Sequence, residues 1–269
     1  MALIQVNYVS KALMRTVPLN VILPVDKISF ATMDYENRQG KKFKTLYLLH
    51  GIFGNYTDWV SGTRIQRWAE EKGLCVVMPS GDNAFYVNSI TPMNDYGKFI
   101  GEEIVEVTRR MFPLSTKRKD TFIAGLSMGG FGAMRNGLKY SDTFGYIASL
   151  SGALQLFEGE KSFLGDNMVF GDVKKAKNSD INPEYVMKKL VKEGKEKPVI
   201  YIACGTSDSL LASNRKFRDK LIKNGFDVTY VEEPGAHEWD FWDRQIKAVI
   251  DWLPLGKNNN GLNSGNIGK

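Results

Sequence analysis

The chain is poor in the residues that most often bind metal ions or form disulfide bonds. Its 269 residues include two cysteines, Cys75 and Cys204, and two histidines, His50 and His237. These four residues do not suffice for an ordinary zinc site without carboxylate ligands, and they lack metal-ligand spacing. Both cysteines lie in apolar, strand-like stretches, so we interpret them as small buried hydrophobic residues. The sequence therefore predicts no metal centre.

A membrane span and a basic leader are also missing. No apolar run approaches the length that crosses a bilayer, and no basic segment followed by an apolar one opens the chain. We therefore expect a cytoplasmic protein that does not act at a membrane. The 36 basic and 30 acidic residues give a net charge of +6. Nucleic-acid binding would require a basic stripe interleaved with aromatic residues. Solvated helix ends and loops explain basic runs such as 117–119 better, so we expect no nucleic-acid partner.

Apolar strand-like stretches alternate with helical patterns along the chain. Strands are predicted over 3–9, 16–23, 44–49, 74–78, 121–124, 146–150, 198–203 and 226–231. Helices are predicted over 65–72, 96–111, 128–138, 183–191, 211–224 and 239–252. This alternation favours an α/β fold, with a doubly wound, mostly parallel sheet and helices on both faces. We expect one domain over 1–255, with an insertion over 151–197 that shapes the substrate pocket, and a disordered tail over 256–269.

The pentapeptide 125–129 carries the clearest chemical signal. Its sequence, Gly-Leu-Ser-Met-Gly, fits the pattern G-x-S-x-G and directly follows the apolar run 121–124. In a nucleophile elbow of this pattern, the serine stands on a tight turn between a strand and a helix, with its hydroxyl exposed. The two glycines relieve the crowding in such a turn. The pattern alone also arises by chance, but its place between a strand and a helix predicts Ser127 as a nucleophile.

A serine hydroxyl is a weak nucleophile at neutral pH and requires a base within hydrogen-bond reach. In α/β-hydrolases the catalytic residues follow one another in the order serine, acid, histidine. Only His237 lies downstream of Ser127, so it is the base by elimination. His50 instead fits the loop after an early strand, where a His-Gly pair shapes an oxyanion hole.

The acid that orients His237 has several candidates downstream of Ser127. They are Asp172, Asp180, Asp208, Asp219 and Asp227. Asp208 follows the strand predicted over 198–203, and active sites of open α/β sheets gather at the carboxyl ends of strands. Asp219 lies in a helical pattern and Asp227 begins a strand, so both are more simply solvated. We therefore favour Asp208.

These motifs together resemble the esterase D-like branch of the α/β-hydrolases, especially the small bacterial tributyrin and acetyl esterases. The resemblance extends from about residue 5 to 253, and it depends on segments 48–55, 58–59, 124–133, 204–208 and 234–239. It implies the α/β-hydrolase fold and a Ser127, Asp208 and His237 triad. It says much less about the substrate, because this branch contains several kinds of esterase and thioesterase.

The resemblance also implies the remaining parts of the site. The backbone N–H groups of Ile52 and Met128 would form the oxyanion hole, and no metal or organic cofactor is needed. Trp59, Phe131 and Trp239 would line the acyl or alcohol pocket, although a core position explains the first two equally well. Family members often assemble, so a homo-oligomer is compatible with the resemblance, but the sequence identifies no interface.

The sequence thus predicts a serine carboxylesterase that hydrolyses small-molecule esters with short acyl groups through an acyl-enzyme intermediate. One alternative is a feruloyl or acetylxylan esterase that acts on plant-polysaccharide fragments, and another is a thioesterase similar to S-formylglutathione hydrolase. An alternative outside the enzymes is a hydrolase fold that only binds a ligand. That reading usually requires a missing triad residue, and none is missing here.

Overall fold

The computed structural model describes residues 1–29, 33–35, 40–89, 91–157 and 169–256. Its strands are β1 (Ala2–Ser10), β2 (Arg15–Leu23), β3 (Ile28–Ser29), β4 (Asp34–Tyr35), β5 (Thr45–Leu49), β6 (Cys75–Pro79), β7 (Thr121–Leu126), β8 (Tyr146–Leu150), β9 (Val199–Gly205) and β10 (Val228–Glu233). Its α-helices are α1 (Asp58–Gly62), α2 (Ile65–Lys72), α3 (Tyr96–Lys98), α4 (Ile104–Met111), α5 (Met128–Lys139), α6 (Val173–Lys177), α7 (Pro183–Lys192), α8 (Leu211–Lys223) and α9 (Trp239–Trp252).

One large, mostly parallel sheet organises the described residues. Its strand order is β1-β2-β6-β5-β7-β8-β9-β10. The strands from β6 to β10 in this order run parallel to one another, whereas β2 runs antiparallel to both β1 and β6. Parallel neighbours require crossover connections, and the helices supply them. The predicted doubly wound α/β fold is confirmed.

Helices cover both faces of the sheet, and alternate side chains of the central strands pack into two separate hydrophobic cores. On β5, Leu46 and Leu48 join the core that also contains residues of α1, α2 and α9. Tyr47 and Leu49, which point to the opposite face, join the core that contains residues of α4, α5, α7 and α8. All five residues of β5 are buried. A strand buried on both faces must be apolar throughout, which explains why it was recognisable in the sequence.

The register of the sheet brings the ends of five strands together at one edge, which we call the carboxyl edge. Leu49 pairs with Gly125, and Leu126 pairs with Leu150. Leu150 also pairs with Ala203 on β9, and the end of β9 pairs with the end of β10. The loops that contain residues 50–54, 127, 151, 208 and 237 therefore all begin at this edge.

Most predicted elements occur where the sequence placed them, within a few residues at each end. The helix predicted over 96–111 is continuous but includes a π-helical turn, Phe99–Glu103, between α3 and α4. The short helices α1 and α6 were not predicted. Residues 158–168 of the predicted insertion lie outside the described residues, as does nearly all of the predicted tail, 257–269. Among the described residues, no helix combines the length and apolarity required to cross a membrane.

Candidate active site

Ser127 lies on a strained turn between β7 and α5. Its φ of 51° and ψ of −115° fall outside the regions that L-residues ordinarily occupy. Three backbone hydrogen bonds hold it there. Its N–H donates to the carbonyl of Leu150 over 2.9 Å, and its own carbonyl accepts from the N–H groups of Phe131 and Ala153 at 3.0 and 3.2 Å. The turn therefore retains a conformation that costs about 1–3 kcal/mol elsewhere, and the serine projects beyond the carboxyl edge.

The glycines of the pentapeptide permit this turn because the backbone approaches itself closely. A Cβ on Gly129 would overlap the carbonyl oxygen of Leu49 at the end of β5. A Cβ on Gly125 would likewise overlap the carbonyl of Gly129. Any larger residue at either position would push the first turn of α5 away from the sheet. The G-x-S-x-G spacing is thus a packing requirement of the elbow.

Asp208 and His237 form a hydrogen-bonded pair at the same edge. Nδ1 of His237 lies 2.9 Å from Oδ2 of Asp208. An ionised carboxylate can only accept hydrogen bonds, so Nδ1 carries the proton and donates it. Backbone bonds between the two loops fix this distance. Thr206 N–H donates to the carbonyl of Glu233, and Ser207 N–H donates to the carbonyl of Gly235, both over 3.0 Å.

The carboxylate of Asp208 is inaccessible to solvent and is held by several donors. Its side chain is 0% exposed. Burial acts to raise the pKa of Asp208, but hydrogen bonds from His237, from the N–H of Leu210 at 2.8 Å and from the Ser151 hydroxyl outweigh burial. The net effect lowers the pKa of Asp208. The carboxylate therefore stays ionised at neutral pH, as the orienting acid of a serine–histidine pair must.

Ser151, which follows β8 directly, connects the acid to the hydrophobic core. It is 0% exposed and has a φ of 48°. Its Oγ accepts a hydrogen bond from Nε1 of Trp242 over 3.1 Å, in addition to its contact with Asp208. The ring of Trp242 in turn lies edge-on to the ring of His237, with centroids 4.9 Å apart. One serine and one tryptophan thus brace both members of the pair.

The pairing of Nδ1 with Asp208 leaves Nε2 as the basic nitrogen of His237. Its side chain is 34% exposed, so this nitrogen can meet a solvent-borne substrate. Within the part of the chain that the structure describes, no hydrogen bond joins Nε2 to the Ser127 hydroxyl. Such bonds are often long in enzymes without substrate and shorten in the Michaelis complex.

Two backbone N–H groups beside Ser127 have no acceptor among the described residues. Met128 is the first residue of α5, where the N–H has no partner within the helix. The N–H of Ile52 likewise donates to no group in the part of the chain that the structure describes. A Cβ on Gly51, the residue before Ile52, would lie 3.7 Å from Cβ of Ser127, so this loop runs directly past the serine. The two N–H groups are suited to bind a developing oxyanion.

His50 is a buried, neutral histidine that fastens the Ile52 loop. Its Nε2 accepts the N–H of Gly81 over 2.8 Å, and its Nδ1 lies 2.6 Å from the carbonyl of Gly51. The proton therefore resides on Nδ1. Burial is the largest influence on its pKa and lowers it, so the ring stays neutral. Tyr86 adds a hydrogen bond from its hydroxyl to the carbonyl of His50 over 2.9 Å.

The structure corrects the predicted substrate pocket. Trp59 is 1% exposed and donates its indole N–H to the carbonyl of Leu49, so it is a core residue. Phe131 is 0% exposed and packs against three other phenylalanine rings. Neither side chain reaches the surface, because the first helical turns of α1 and α5 point them into the two cores. Trp239 is half-buried, with its ring between those of Trp59 and Trp242.

Sequence reasoning did not identify Ser151 or Trp242 as part of the site. Trp242 belongs to the apolar face of α9, since it is 6% exposed and lies in the core beside α2. Only its indole nitrogen serves the site. The position of Ser151 at the end of β8 was an available signal, because the loops after neighbouring parallel strands meet at one edge.

Comparison with known proteins places the chain among esterases. Residues 10–253 match the Esterase protein family. An acetyl esterase of Caldicellulosiruptor saccharolyticus is 41% identical over 266 residues, which cover 94% of this chain and 98% of that protein. Among solved structures, FphF, a fluorophosphonate-binding serine hydrolase of Staphylococcus aureus, is 32% identical. Its TM-score is 0.83, and the match covers 95% of this chain and 99% of that one.

A second solved structure extends the range of relatives. The S-formylglutathione hydrolase FrmB of Staphylococcus aureus is 33% identical, with a TM-score of 0.81, over 95% of this chain and 99% of that one. The predicted serine carboxylesterase is confirmed at the level of reaction class by these relatives together. The chain belongs to the Esterase family of α/β-hydrolases and is a carboxylic ester hydrolase.

Proposed function

We propose that the protein hydrolyses small esters with short acyl groups, through an acyl-enzyme formed on Ser127. The observation that carries the proposal is the 2.9 Å bond between His237 and an ionised, buried Asp208, at the same edge of the sheet as the strained Ser127. The acetyl esterase at 41% identity supports a short acyl group. Neither the formation nor the hydrolysis of the acyl-enzyme requires a cofactor, because the three side chains supply the nucleophile, the base and the orienting charge.

In the first half of the reaction, Oγ of Ser127 attacks the carbonyl carbon of the ester while its proton moves to Nε2 of His237. The carbonyl oxygen becomes an oxyanion and takes hydrogen bonds from the N–H groups of Ile52 and Met128. The intermediate then collapses, the bond to the alcohol oxygen breaks, and that oxygen takes the proton from Nε2. Asp208 stabilises the imidazolium that exists between the two proton transfers.

In the second half, a water molecule replaces the alcohol. Nε2 of His237 takes one proton from the water as its oxygen attacks the acyl carbon. The second tetrahedral intermediate collapses, the bond to Oγ of Ser127 breaks, and Oγ recovers its proton from Nε2. The free acid leaves and the enzyme returns to its starting state.

Hydrolysis of p-nitrophenyl acetate and butyrate, together with labelling by a fluorophosphonate probe, tests this proposal. Wild-type protein should hydrolyse both esters and take one label, and Ser127→Ala should lose both properties. The matched control is Ser61→Ala, since Ser61 is an exposed serine on α1 whose hydroxyl bonds only to a local carbonyl. A wild-type protein that neither hydrolyses nor labels would refute the function. Labelling of Ser127→Ala would assign the nucleophile to another residue.

A thioester is the second candidate substrate, because the S-formylglutathione hydrolase FrmB is 33% identical over nearly the whole chain. The same acyl-enzyme route would apply, with a thiol as the leaving group. Values of kcat/KM for S-formylglutathione, p-nitrophenyl esters of two to twelve carbons and methyl ferulate would rank the candidates. We expect the maximum among the esters of two to four carbons. A maximum at S-formylglutathione or at methyl ferulate would replace the acetyl-type assignment.

A further inference from the structure

Phe53, the residue after Ile52, has an arrangement that folding does not explain. It is 85% exposed, more than any other large hydrophobic residue among those the structure describes. Its φ is 65°, a left-handed conformation that aromatic residues rarely adopt. Three exposed methionines, Met14, Met33 and Met93, also have a positive φ, but Phe53 is the one exposed aromatic residue among the described residues that combines the two properties. Strain of this kind persists mainly where it serves a function.

The loop around Phe53 is firmly held, so the exposure of the ring is a fixed feature. The N–H of Phe53 donates to Oδ1 of Asn83 over 2.8 Å. The N–H of Gly54 donates to the carbonyl of Gly51 over 3.3 Å, which closes the turn. At the start of the loop, His50 is tied to Gly81 over 2.8 Å. These bonds hold the backbone from both sides and leave the phenyl ring free of them.

The position of the ring relative to the reacting atoms follows from the chain itself. Ile52 supplies one of the two free N–H groups proposed to bind the carbonyl oxygen of the ester. Successive Cα atoms lie about 3.8 Å apart, so the side chain of Phe53 begins one residue from the N–H that would bind that oxygen. An acyl or alcohol group of several carbons, bound with its carbonyl at Ile52, is long enough to extend to the ring.

The surroundings of Phe53 define which group would bind there. The ring offers no hydrogen-bonding atom, so it favours an apolar group. Two carboxylates lie beside the loop. Asp82 is paired with Arg15, and the carboxylate of Asp58 lies against Gly54. Phe53 therefore offers an apolar face next to acidic groups, which favours an uncharged group over an anionic one.

We propose that Phe53 forms an apolar subsite for the non-reacting part of the ester and thereby sets its preferred length. This inference rests on the proposed function, because it places the ester carbonyl at Ile52. The ring covers only one side of the bound group. Contact with it should therefore raise kcat/KM roughly tenfold, which is the low end for a hydrophobic pocket. Esters whose groups are too short to reach the ring should show no such increase in kcat/KM.

Two variants of Phe53 and two ester series test the subsite. Phe53→Asn removes the ring and suits a left-handed backbone, whereas Phe53→Leu keeps an apolar side chain. The first series holds p-nitrophenol constant and extends the acyl group from two to eight carbons. The second holds acetate constant and changes the alcohol from methanol to 1-octanol. Ile222→Ala is the control, because Ile222 is 54% exposed at the end of α8, far from the carboxyl edge.

The expected result is a loss of roughly tenfold in kcat/KM for Phe53→Asn, mainly through KM, that grows along one series and is small for the shortest ester. The series in which it grows identifies the acyl or the alcohol side. Phe53→Leu should recover most of the loss, and Ile222→Ala should show none. An equal loss for every ester, or no loss, would overturn the subsite while wild-type hydrolysis still upheld the proposed function. A change in oligomeric state on sedimentation, without a change in KM, would instead assign the ring to a contact between copies of the chain.

Discussion

The indole nitrogen of Trp242 lies 3.1 Å from the hydroxyl oxygen of Ser151, behind the carboxylate of Asp208. This bond joins α9 to the loop after β8. The same hydroxyl contacts Asp208, which holds His237. The orientation of the imidazole therefore depends on a serine that is fully buried and that no catalytic motif contains. Its contribution can be measured.

Ser151→Ala should lower both turnover and stability. The substitution removes a hydrogen bond to the carboxylate and leaves the buried Trp242 N–H without an acceptor, which costs about 1–3 kcal/mol. We expect kcat for p-nitrophenyl acetate to fall about tenfold, in line with the loss of one hydrogen bond to a charged group. Urea unfolding and steady-state kinetics provide the two measurements.

A double-mutant cycle with Trp242→Phe separates the bond from general packing defects. Each single variant breaks the same hydrogen bond, so the double variant should be more stable than the sum of the single losses predicts, with a coupling energy of about 1 kcal/mol. Additive losses of unfolding free energy would show that the contact contributes nothing of its own.

Asp208→Asn should lower kcat by about 10⁴ while the protein stays folded. The carboxylate of Asp208 only accepts hydrogen bonds, whereas the asparagine amide also carries an NH₂ group that donates them. The amide therefore disfavours the tautomer in which Nδ1 of His237 carries the proton. The measurement is kcat for p-nitrophenyl butyrate, with circular dichroism as the check on folding. Asp180→Asn is the matched control, since Asp180 is an ionised carboxylate that pairs with Lys139 and Arg135 on α5. Near-wild-type turnover in Asp208→Asn would assign the role to another carboxylate.

The buried His50 should make stability depend on pH. Burial lowers its pKa in the folded protein, whereas the unfolded chain has the ordinary value of about 6.5. The unfolded state therefore binds a proton first as pH falls, and the contribution of His50 is complete above about pH 6.5 and decreases below it. His50→Gln retains a neutral acceptor for the Gly81 N–H but does not titrate. Urea unfolding from pH 7.5 to 5 should show a steeper decline for wild type than for this variant, and parallel curves would contradict the assignment.

The fold and the placement of the candidate site could be predicted because buried parallel strands leave a direct signature in the sequence. The apolar stretches at β5 and β7 mark strands covered on both faces, and the loops after parallel strands meet at one edge. Asp208 and His237 lie in the loops after β9 and β10, which end together at that edge, and the two side chains are hydrogen-bonded there. The sequence could not predict that Trp59 and Phe131 are buried, since an aromatic residue beside a catalytic motif is equally suited to a pocket wall and to the core. Phe53 was overlooked because its exposure and its φ are properties of the folded chain.

Relief of the backbone strain at Ser127 should raise the free energy of unfolding. A φ of 51° with a ψ of −115° is accessible to glycine but costs about 1–3 kcal/mol for a residue with a Cβ. Glycine also gains freedom in the unfolded chain, which offsets about 0.5–1 kcal/mol of that amount. Ser127→Gly should therefore be more stable than Ser127→Ala by about 1 kcal/mol, and both should be inactive. Urea unfolding of the two variants under identical conditions measures the difference. If Ser127→Ala proved as stable as Ser127→Gly, or more stable, the backbone at residue 127 would be unstrained. The exposure of the serine hydroxyl would then have to be attributed to the glycines at 125 and 129 alone.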